Sequence, residues 1–187
     1  MIANYQQTTE PKMKNYFLLI LALGFYFGTF AQPEKPKNDK AGVLEQIHLL
    51  IERSDMKTVR AGFQKISEEN NFPSIVTGLK DGIYKGSSPY DDYGYRHEIT
   101  FEMKSGKMVS VDYDEIHRDG HTKQYDKEYC KRMLKSGTTP AIAYPKYESG
   151  MLAKQNFNQI DAVSGASYSL YRFKLAILYA IMNSEQL

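Results

Sequence analysis

The chain has 187 residues, of which 42% are apolar and 25% are charged, and its formal net charge is +2 at pH 7. This length suits one domain of about 100–150 residues with an additional segment, and the composition excludes collagen-like, disordered and multi-span membrane proteins. Lys and Arg total 24 against 22 Asp and Glu, without a block of like charge, so no nucleic-acid-binding surface is indicated.

The N-terminal segment has the pattern of a secretory signal peptide. Lys12 and Lys14 precede an uncharged run over residues 16–30, which is shorter than the roughly 20 residues of a membrane-spanning helix. Small residues at its end predict cleavage after residue 31, so that residues 1–31 are the signal; an uncleaved membrane anchor is the alternative. Met13 begins a signal of conventional form and is an alternative start. The remaining chain is predicted to be exported, to a periplasm or the cell surface.

A linker and a helical extension are predicted next. Residues 32–40 are rich in Pro and Lys and form the linker. Residues 41–76 contain two amphipathic helices, whose apolar stripes are expected to pack on the sheet that follows. The stripes consist of Val43, Ile47, Leu50 and Ile51 in the first helix, and of Met56, Val59, Phe63 and Ile66 in the second.

After Pro73 the apolar period changes to the alternation that is typical of strands. A short strand is predicted over 82–87. Two longer strands, 95–104 and 107–116, flank a tight turn at Ser105-Gly106 and therefore predict an antiparallel hairpin. The residues expected on one face of this hairpin are Ile99, Phe101, Met103, Val109, Val111 and Tyr113.

Three helices complete the predicted α+β fold, a small twisted antiparallel sheet packed against helices. Residues 126–135 predict a helix ended by Gly137, Pro145 predicts the start of a second, and residues 168–183 predict a third. The residues of the third helix expected to face inward are Tyr171, Leu175, Leu178 and either Ile181 or Ile177.

Two groups of potentially reactive side chains are predicted to be structural. Cys130 is the single cysteine and lies at helical spacing from apolar residues, which predicts a buried structural thiol rather than a redox centre. His117 and His121 have the spacing of a helical metal-binding pair, but Asp119-Gly120 would break a helix between them. No metal site is therefore predicted.

Residues 161–167, with the sequence DAVSGAS, directly precede the last helix. Free N–H groups and the positive dipole end at a helix start favour an anion such as a phosphate. Gly165 and Ala166 allow a ligand to approach the backbone, and the hydroxyls of Ser164 and Ser167 add donors. The same residue types are common in plain N-capping, which is the structural alternative.

DAVSGAS resembles the Asp-x-x-[Ser/Thr]-Gly-Ala-[Thr/Ser] signature of the FMN-binding domain family. That family includes the C subunit of sodium-pumping NADH:quinone reductase, the G subunit of Rnf complexes, and exported flavoproteins of extracellular electron transfer. DGIYKG at 81–86 is similar to the opening of the same domain, and residues 104–120 are similar to a hairpin region of the exported members. The resemblance runs from about Thr77 to the C-terminus and defines a main domain over 77–187.

The resemblance implies that FMN is joined through its phosphate to the last hydroxyl of the signature, here Ser167, by a flavin transferase that uses FAD. Thr is more usual at this position in the family, and non-covalent FMN is an alternative. By the same carry-over Asp161, Ser164, Gly165 and Ala166 form the recognition turn, with Asp161 serving the transferase.

The flavin ring is planar and largely apolar, so it is expected to stack on Tyr or aliphatic side chains. The candidates by position are Tyr84, Tyr95 and Tyr113, together with Asp114 beside the last of these.

These features predict an exported flavoprotein that carries electrons rather than an enzyme with its own organic substrate. Its expected partners are the FAD-dependent transferase and either redox donor and acceptor proteins or a quinone-linked membrane complex. Two alternatives stay open: a flavin-bearing electron-input module of a separate extracytoplasmic reductase, and a flavin-free exported binding domain of the same fold.

Overall fold

The computed structural model describes residues 40–71, 76 and 78–182. The predicted signal peptide and, except for Lys40, the predicted linker lie outside the described residues. Among the helices that the structure does describe, none combines the length and the apolar character needed to cross a membrane.

Along the described part of the chain, helices both precede and follow the three strands, which confirms the α+β class. The elements in chain order are α1 (Lys40–Arg53), α2 (Met56–Glu69), β1 (Gly82–Ser87), β2 (Tyr95–Lys104), β3 (Lys107–His117), α3 (Lys127–Met133), α4 (Pro140–Lys154) and α5 (Ser167–Met182).

The three strands form one antiparallel sheet in the order β1-β2-β3. Ser105 and Gly106 connect β2 to β3 with φ values of +53° and +73°. Two-residue hairpin turns favour such left-handed backbone, because it matches the twist of the flanking strands. Lys104 pairs with Lys107 directly across the turn. The predicted hairpin and its turn are confirmed.

One residue of β3 has no partner in the ladder. Glu102 pairs with Ser110 and Met103 pairs with Met108, so Val109 bulges between them. An inserted residue reverses the faces that the following side chains take. Met108 is consequently buried, whereas Val109 is 47% exposed. The prediction that Val109 shares the buried face is therefore wrong, because strict alternation does not anticipate a bulge.

Helix α5 lies at the centre of the core. From Ser169 to Ile181 every residue except Arg172 is buried. The helix contacts β1, β2, α1 and α4, and a helix that is apolar on all sides needs such cover. The predicted inward residues are all buried, including both Ile177 and Ile181.

The two helices of the N-terminal extension belong to this same core. α1 packs on α2 and on α5, and α5 in turn packs on β1 and β2. In α2, the ring of Phe63 meets the ring of Tyr171 edge-on at 5.3 Å. The expectation that the apolar faces of the extension pack on the sheet is corrected, because α5 takes that place.

Helix α4 begins earlier than predicted. Pro140 occupies its first turn, after Thr139 in extended backbone, and Pro145 lies inside the helix. The predicted start at Pro145 is therefore wrong, because the sequence holds two prolines and the first one opens the helix. Pro145 has no N–H to donate to the carbonyl of Ala141, but Ala141 is a surface residue, so water can donate to that carbonyl instead.

Helix α3 (Lys127–Met133) confirms the helix predicted over residues 126–135. Asp126 caps it by accepting a hydrogen bond from the Tyr129 N–H, and a short 3-10 turn over Leu134–Ser136 carries it to Gly137 with φ +82°. Cys130 is only partly buried rather than buried as predicted, because no residue of α3 is fully buried. Burial and nearby Asp126 raise the pKa of its thiol, which disfavours the reactive thiolate.

Substitution of Gly86 tests how closely α5 must approach the sheet. A Cβ at this position would lie 2.5 Å from the Ala176 carbonyl oxygen and still closer to the Ala180 nitrogen, both of them backbone atoms. We expect Gly86→Ala to lower the free energy of unfolding by about 1–3 kcal/mol, measured by urea denaturation. Lys85→Ala, on the exposed neighbour, is the control; equal stability of the two variants would contradict this packing.

Candidate functional site

The signature segment, residues 161–167, forms a tight turn into α5. Gly165 adopts φ +81°, and the Ala166 N–H donates to the Val163 carbonyl at 2.9 Å. The Ala166 carbonyl accepts from the Tyr147 hydroxyl at 2.7 Å and from the Leu170 N–H at 3.2 Å. These bonds fix the backbone of the turn against α4 and at the first turn of α5.

Gly165 is required by packing as well as by its positive φ. A Cβ here would lie 2.5 Å from the carbonyl oxygen of Ser136, at the end of the 3-10 turn after α3. The turn is therefore wedged against backbone, and any larger residue would push it away. This part of the signature has a structural explanation that does not depend on a ligand.

The polar part of the signature has no such explanation. The side chains of Asp161, Ser164 and Ser167 are exposed or partly exposed. None of the three makes a hydrogen bond to a described residue. The first hydrogen bond of α5 is made by the Leu170 N–H, so the amides of Ser167, Tyr168 and Ser169 precede the intrahelical ladder. Plain N-capping by these side chains is therefore not seen.

Two clefts flank the turn. The first, of about 470 Å³, is lined by Asp161 to Ser164 and by Lys146, Thr138 and aliphatic side chains. The second, of about 300 Å³, is lined by residues on both sides of Ser167 and by several aromatic side chains, and we name it the tyrosine cleft. Its lining consists of Ile51, Glu52, Ser54, Tyr93, Tyr129, Met133, Gly165, Ala166, Tyr168, Ser169 and Arg172.

The structure places the predicted ring-stacking residues away from both clefts. Tyr84 is buried and stacks on Phe101 at 5.0 Å, and Tyr113 is buried against the rings of Tyr144 and Phe173. Each of these two side chains belongs to the core. Sequence position alone could not separate a core tyrosine from one that lines a cleft.

Tyr95 and Asp114 are also committed to contacts elsewhere. The Tyr95 hydroxyl lies 2.9 Å from His121 Nε2 and donates to Asp126 at 3.1 Å. The Asp114 carboxylate accepts from the Gln124 side chain at 2.7 Å, and burial raises its pKa. The signature turn and these two residues are therefore separate features.

A buried ion cluster borders the tyrosine cleft. Glu115 of β3 is fully buried, with Lys123 Nζ at 2.6 Å and Arg172 Nη1 at 3.7 Å from its Oε2. Burial opposes ionisation of Glu115, but these two cations outweigh it and hold the pKa of the carboxyl well below its usual range. Arg172 also makes two hydrogen bonds of 3.1 Å to Glu52 of α1. The cluster thus links β3, α5 and α1.

His97 lies beside this cluster without a hydrogen bond from either ring nitrogen to a described residue. Burial, helped by nearby Arg172 and Lys123 against the attraction of Glu115, lowers its pKa to about 3. Glu52, Asp91 and His97 offer ligand atoms close enough for a metal ion. The guanidinium of Arg172 already supplies the positive charge there, since it binds Glu52 and lies 4.0 Å from Asp91.

Sequence reasoning missed Glu115 and Arg172. Glu115 lies two residues after Tyr113, on the same predicted inward face, so alternation in the strand could have identified it as a buried charge. Arg172 interrupts an otherwise apolar helix beside Tyr171. A charge at an inward-facing position is the signal that both residues share, because buried charges need partners.

Comparison with known proteins gives relatives but no matching family model. Over 105 residues the chain is 34% identical to the 15 kDa lipoprotein of Treponema pallidum (strain Nichols), an alignment that covers 56% of this chain and 72% of that protein.

Two solved structures are also similar. A crystal structure of a Clostridium perfringens protein has a TM-score of 0.53 and 32% identity, and covers 57% of this chain and 89% of that one. A solution NMR structure of a Clostridium thermocellum protein has a TM-score of 0.38 and 28% identity, and covers 58% of this chain and 95% of that one.

His97 makes the stability depend on pH. Its pKa falls from an ordinary 6.5 to about 3 on folding, so between these values the unfolded state binds more protons. Stability is therefore lost as the pH falls through this window, by about 2 kcal/mol between pH 7 and pH 5. Below about pH 4.5 the ionised Glu115 adds to the loss, because its pKa is also lowered.

Urea denaturation at several pH values measures this dependence. We expect His97→Gln to be less stable than wild type but to show a flatter profile between pH 7 and 5. The control Lys85→Ala, at an exposed residue that does not titrate between pH 7 and 5, should keep the wild-type slope. An unchanged slope in His97→Gln would contradict the assignment.

Proposed function

The chain belongs to the family of the 15 kDa lipoprotein of Treponema pallidum, and we propose that it is an exported carrier of electrons whose FMN is joined through its phosphate to Ser167. The observation that carries the proposal is the start of α5. There the Ser167 hydroxyl, which has no hydrogen-bond partner among the described residues, belongs to the first helical residue, and the amides of Ser167, Tyr168 and Ser169 precede the helical ladder. A helix N-terminus of this kind stabilises a phosphate through its N–H groups and its dipole.

The turn is fixed while its polar side chains are left available. Gly165 and Ala166 are held by backbone contacts, whereas Asp161, Ser164 and Ser167 make no hydrogen bond to described residues. A transferase needs an accessible hydroxyl on a residue whose backbone is fixed, and Ser167 meets this requirement. It supports the resemblance of DAVSGAS to the FMN-binding signature.

The attachment step balances with FAD as the donor. The Ser167 Oγ attacks the FMN phosphorus of FAD, the phosphoanhydride bond breaks, and a phosphoester to Ser167 forms while AMP leaves. The serine proton is released with AMP, and no electron is transferred. A separate transferase supplies the catalytic machinery, and Asp161 is the residue of the turn that we assign to its recognition.

The tyrosine cleft is the place that we assign to the flavin ring. Ala166 and Tyr168, on either side of Ser167, both line it. Its volume of about 300 Å³ lies at the lower end of the range of ligand pockets, about 300–1,000 Å³. Tyr93 and Tyr168 offer exposed aromatic faces there, unlike the buried Tyr84 and Tyr113. The bound flavin supplies the redox chemistry, and its place at the surface suits exchange with partner proteins.

Export is supported from two directions. The relative is a lipoprotein, which favours an exported or membrane-anchored protein, and the N-terminal segment has the pattern of a signal peptide. An exported protein has no cytoplasmic pool of FMN to refill its site, so a covalent link makes retention independent of affinity. The proposed partners are the transferase and either redox donor and acceptor proteins or a quinone-linked membrane complex.

Replacement of Ser167 tests the attachment. We expect protein purified from its exported compartment to carry the mass of one FMN less water, Ser167→Ala to lack it, and Ser167→Thr to keep it. Ser149→Ala is the matched control, because it removes an exposed serine hydroxyl of α4 outside the recognition turn, and it should stay flavinylated. Intact mass and in-gel fluorescence measure all four proteins.

Bare wild-type protein in a host that has the transferase would contradict the covalent link. Titration of that protein with FMN would then separate reversible binding from a flavin-free domain of the same fold. An adduct that persists in Ser167→Ala but disappears in Ser164→Ala would move the attachment to the other serine.

The position of the ring has its own test. Tyr93 in the tyrosine cleft and Tyr125 outside it are both 76% exposed, so either can be replaced by Ala with little effect on folding. Stacking on tyrosine quenches flavin fluorescence, so Tyr93→Ala is expected to raise the fluorescence of the flavinylated protein severalfold. Tyr125→Ala should leave it unchanged, and equal spectra for the two variants would contradict this placement.

A further inference from the structure

The turn that follows β3 brings three ligand-type atoms together. The Nδ1 atoms of His117 and His121 lie 3.0 Å and 2.5 Å from the same oxygen, Oδ1 of Asp119. The two imidazole rings are stacked, with their centroids 4.6 Å apart. Gly120 does break helical geometry here, but the tight turn, rather than a helix, brings the two histidines together.

Backbone bonds hold this turn in shape. The Gly120 N–H donates to the His117 carbonyl at 2.8 Å, and the His117 N–H donates to the His121 carbonyl at 2.9 Å. The glycine at position 94 leaves room for one of the rings, since a Cβ there would lie 2.9 Å from His117 Nε2. The backbone of the turn therefore holds the three side chains close to one another.

A hydrogen-bond relay fixes the tautomer of His121. The Tyr95 hydroxyl donates its one proton to the Asp126 carboxylate, because a carboxylate only accepts, and burial and this bond raise the pKa of the phenol. The 2.9 Å contact between Tyr95 Oη and His121 Nε2 must then be an Nε2–H donating to Tyr95. In the neutral ring this places the lone pair of Nδ1 2.5 Å from Asp119 Oδ1, and two lone pairs this close repel each other unless a cation lies between them.

The second histidine presents the same kind of atom. The Asp119 N–H points at His117 Nδ1 at 3.4 Å, which assigns a lone pair to that nitrogen as well. Two nitrogen lone pairs and a carboxylate oxygen thus converge on one point. A proton can satisfy one nitrogen and the oxygen, whereas a divalent cation can satisfy all three.

We propose that His117 Nδ1, Asp119 Oδ1 and His121 Nδ1 bind a divalent transition-metal ion such as Zn²⁺. Imidazole nitrogen suits Zn²⁺, Cu²⁺ and Ni²⁺, while Mg²⁺ and Ca²⁺ prefer oxygen ligands. Metal-bound histidines commonly donate their other N–H to a partner that orients them, and the relay from His121 through Tyr95 to Asp126 has this form. Remaining coordination positions are open to solvent, because the side chains of Asp119 and His121 are 60% and 43% exposed.

Zn²⁺ titration of the full exported protein without a polyhistidine tag tests the proposal. We expect calorimetry to show one Zn²⁺ per chain and no binding of Mg²⁺. His117→Ala, Asp119→Asn and His121→Ala should each weaken Zn²⁺ binding at least tenfold, and Tyr95→Phe by about 10–100-fold through loss of the relay. His48→Ala is the control, since His48 lies in α1 outside the cluster, and it should bind as wild type does.

A second measurement separates lost binding from lost folding. Saturating Zn²⁺ should raise the thermal midpoint of wild type and of His48→Ala, but not that of His121→Ala, whose midpoint without metal shows that it folds. Absence of saturable Zn²⁺ binding in wild type would overturn the proposal. Equal affinity of wild type and the cluster variants would overturn it as well.

Discussion

The guanidinium of Arg172 joins three parts of the chain that are distant in sequence. It makes two hydrogen bonds to Glu52 of α1, lies 3.7 Å from Glu115 of β3, and lies 4.0 Å from Asp91 in the loop before β2. Its own side chain is nearly buried, so these charges compensate one another in a poorly hydrated place. Removal of one partner from such a pair costs about 3–5 kcal/mol, because the remaining charge is left buried. Since Arg172 lies in the second turn of α5, this network also fixes where the helix begins.

The start of α5 connects that network to the signature turn. Gly165 is pressed against the carbonyl of Ser136, and Ala166 is held by the hydroxyl of Tyr147, so the backbone before Ser167 has one position. The helix behind it is buried along almost its whole length and cannot slide without breaking the core. The first helical amides and the Ser167 backbone are therefore held in place by a buried helix, and the residues on either side of Ser167 line the tyrosine cleft.

Much of the fold could be predicted from the sequence, because its elements follow simple periods. The helical extension, the hairpin with its Ser105-Gly106 turn, and α5 all agree with the sequence pattern. Val109 is exposed rather than buried because a bulge changes the alternation in β3. Pro145 lies inside α4 rather than at its start because Pro140 opens that helix. The sequence could not predict which elements pack against one another, because the place of α5 between the helical extension and the sheet depends on contacts between distant residues.

The candidate site was predictable only where local sequence determines it. The turn before α5 was found from its residues, whereas the cleft beside it is assembled from α1, α3 and the loop before β2. Tyr84 and Tyr113 are strand tyrosines, as a residue that stacks on a ligand could be, but both side chains face the core. The spacing of His117 and His121 predicts a metal-binding pair only on a helix, whereas a tight turn brings the two side chains together. Each of these differences concerns side chains that are distant in sequence or joined by a turn.

Peptide mapping of the native exported protein tests the central claim most directly. Trypsin cleaves after Lys154 and Arg172, which releases one peptide that contains Ser164, Ser167 and Ser169. Tandem mass spectrometry of that peptide assigns any adduct to one of the three serines. We expect a single addition of FMN less water, located on Ser167. An unmodified peptide at full recovery, or an adduct on another residue, would contradict it.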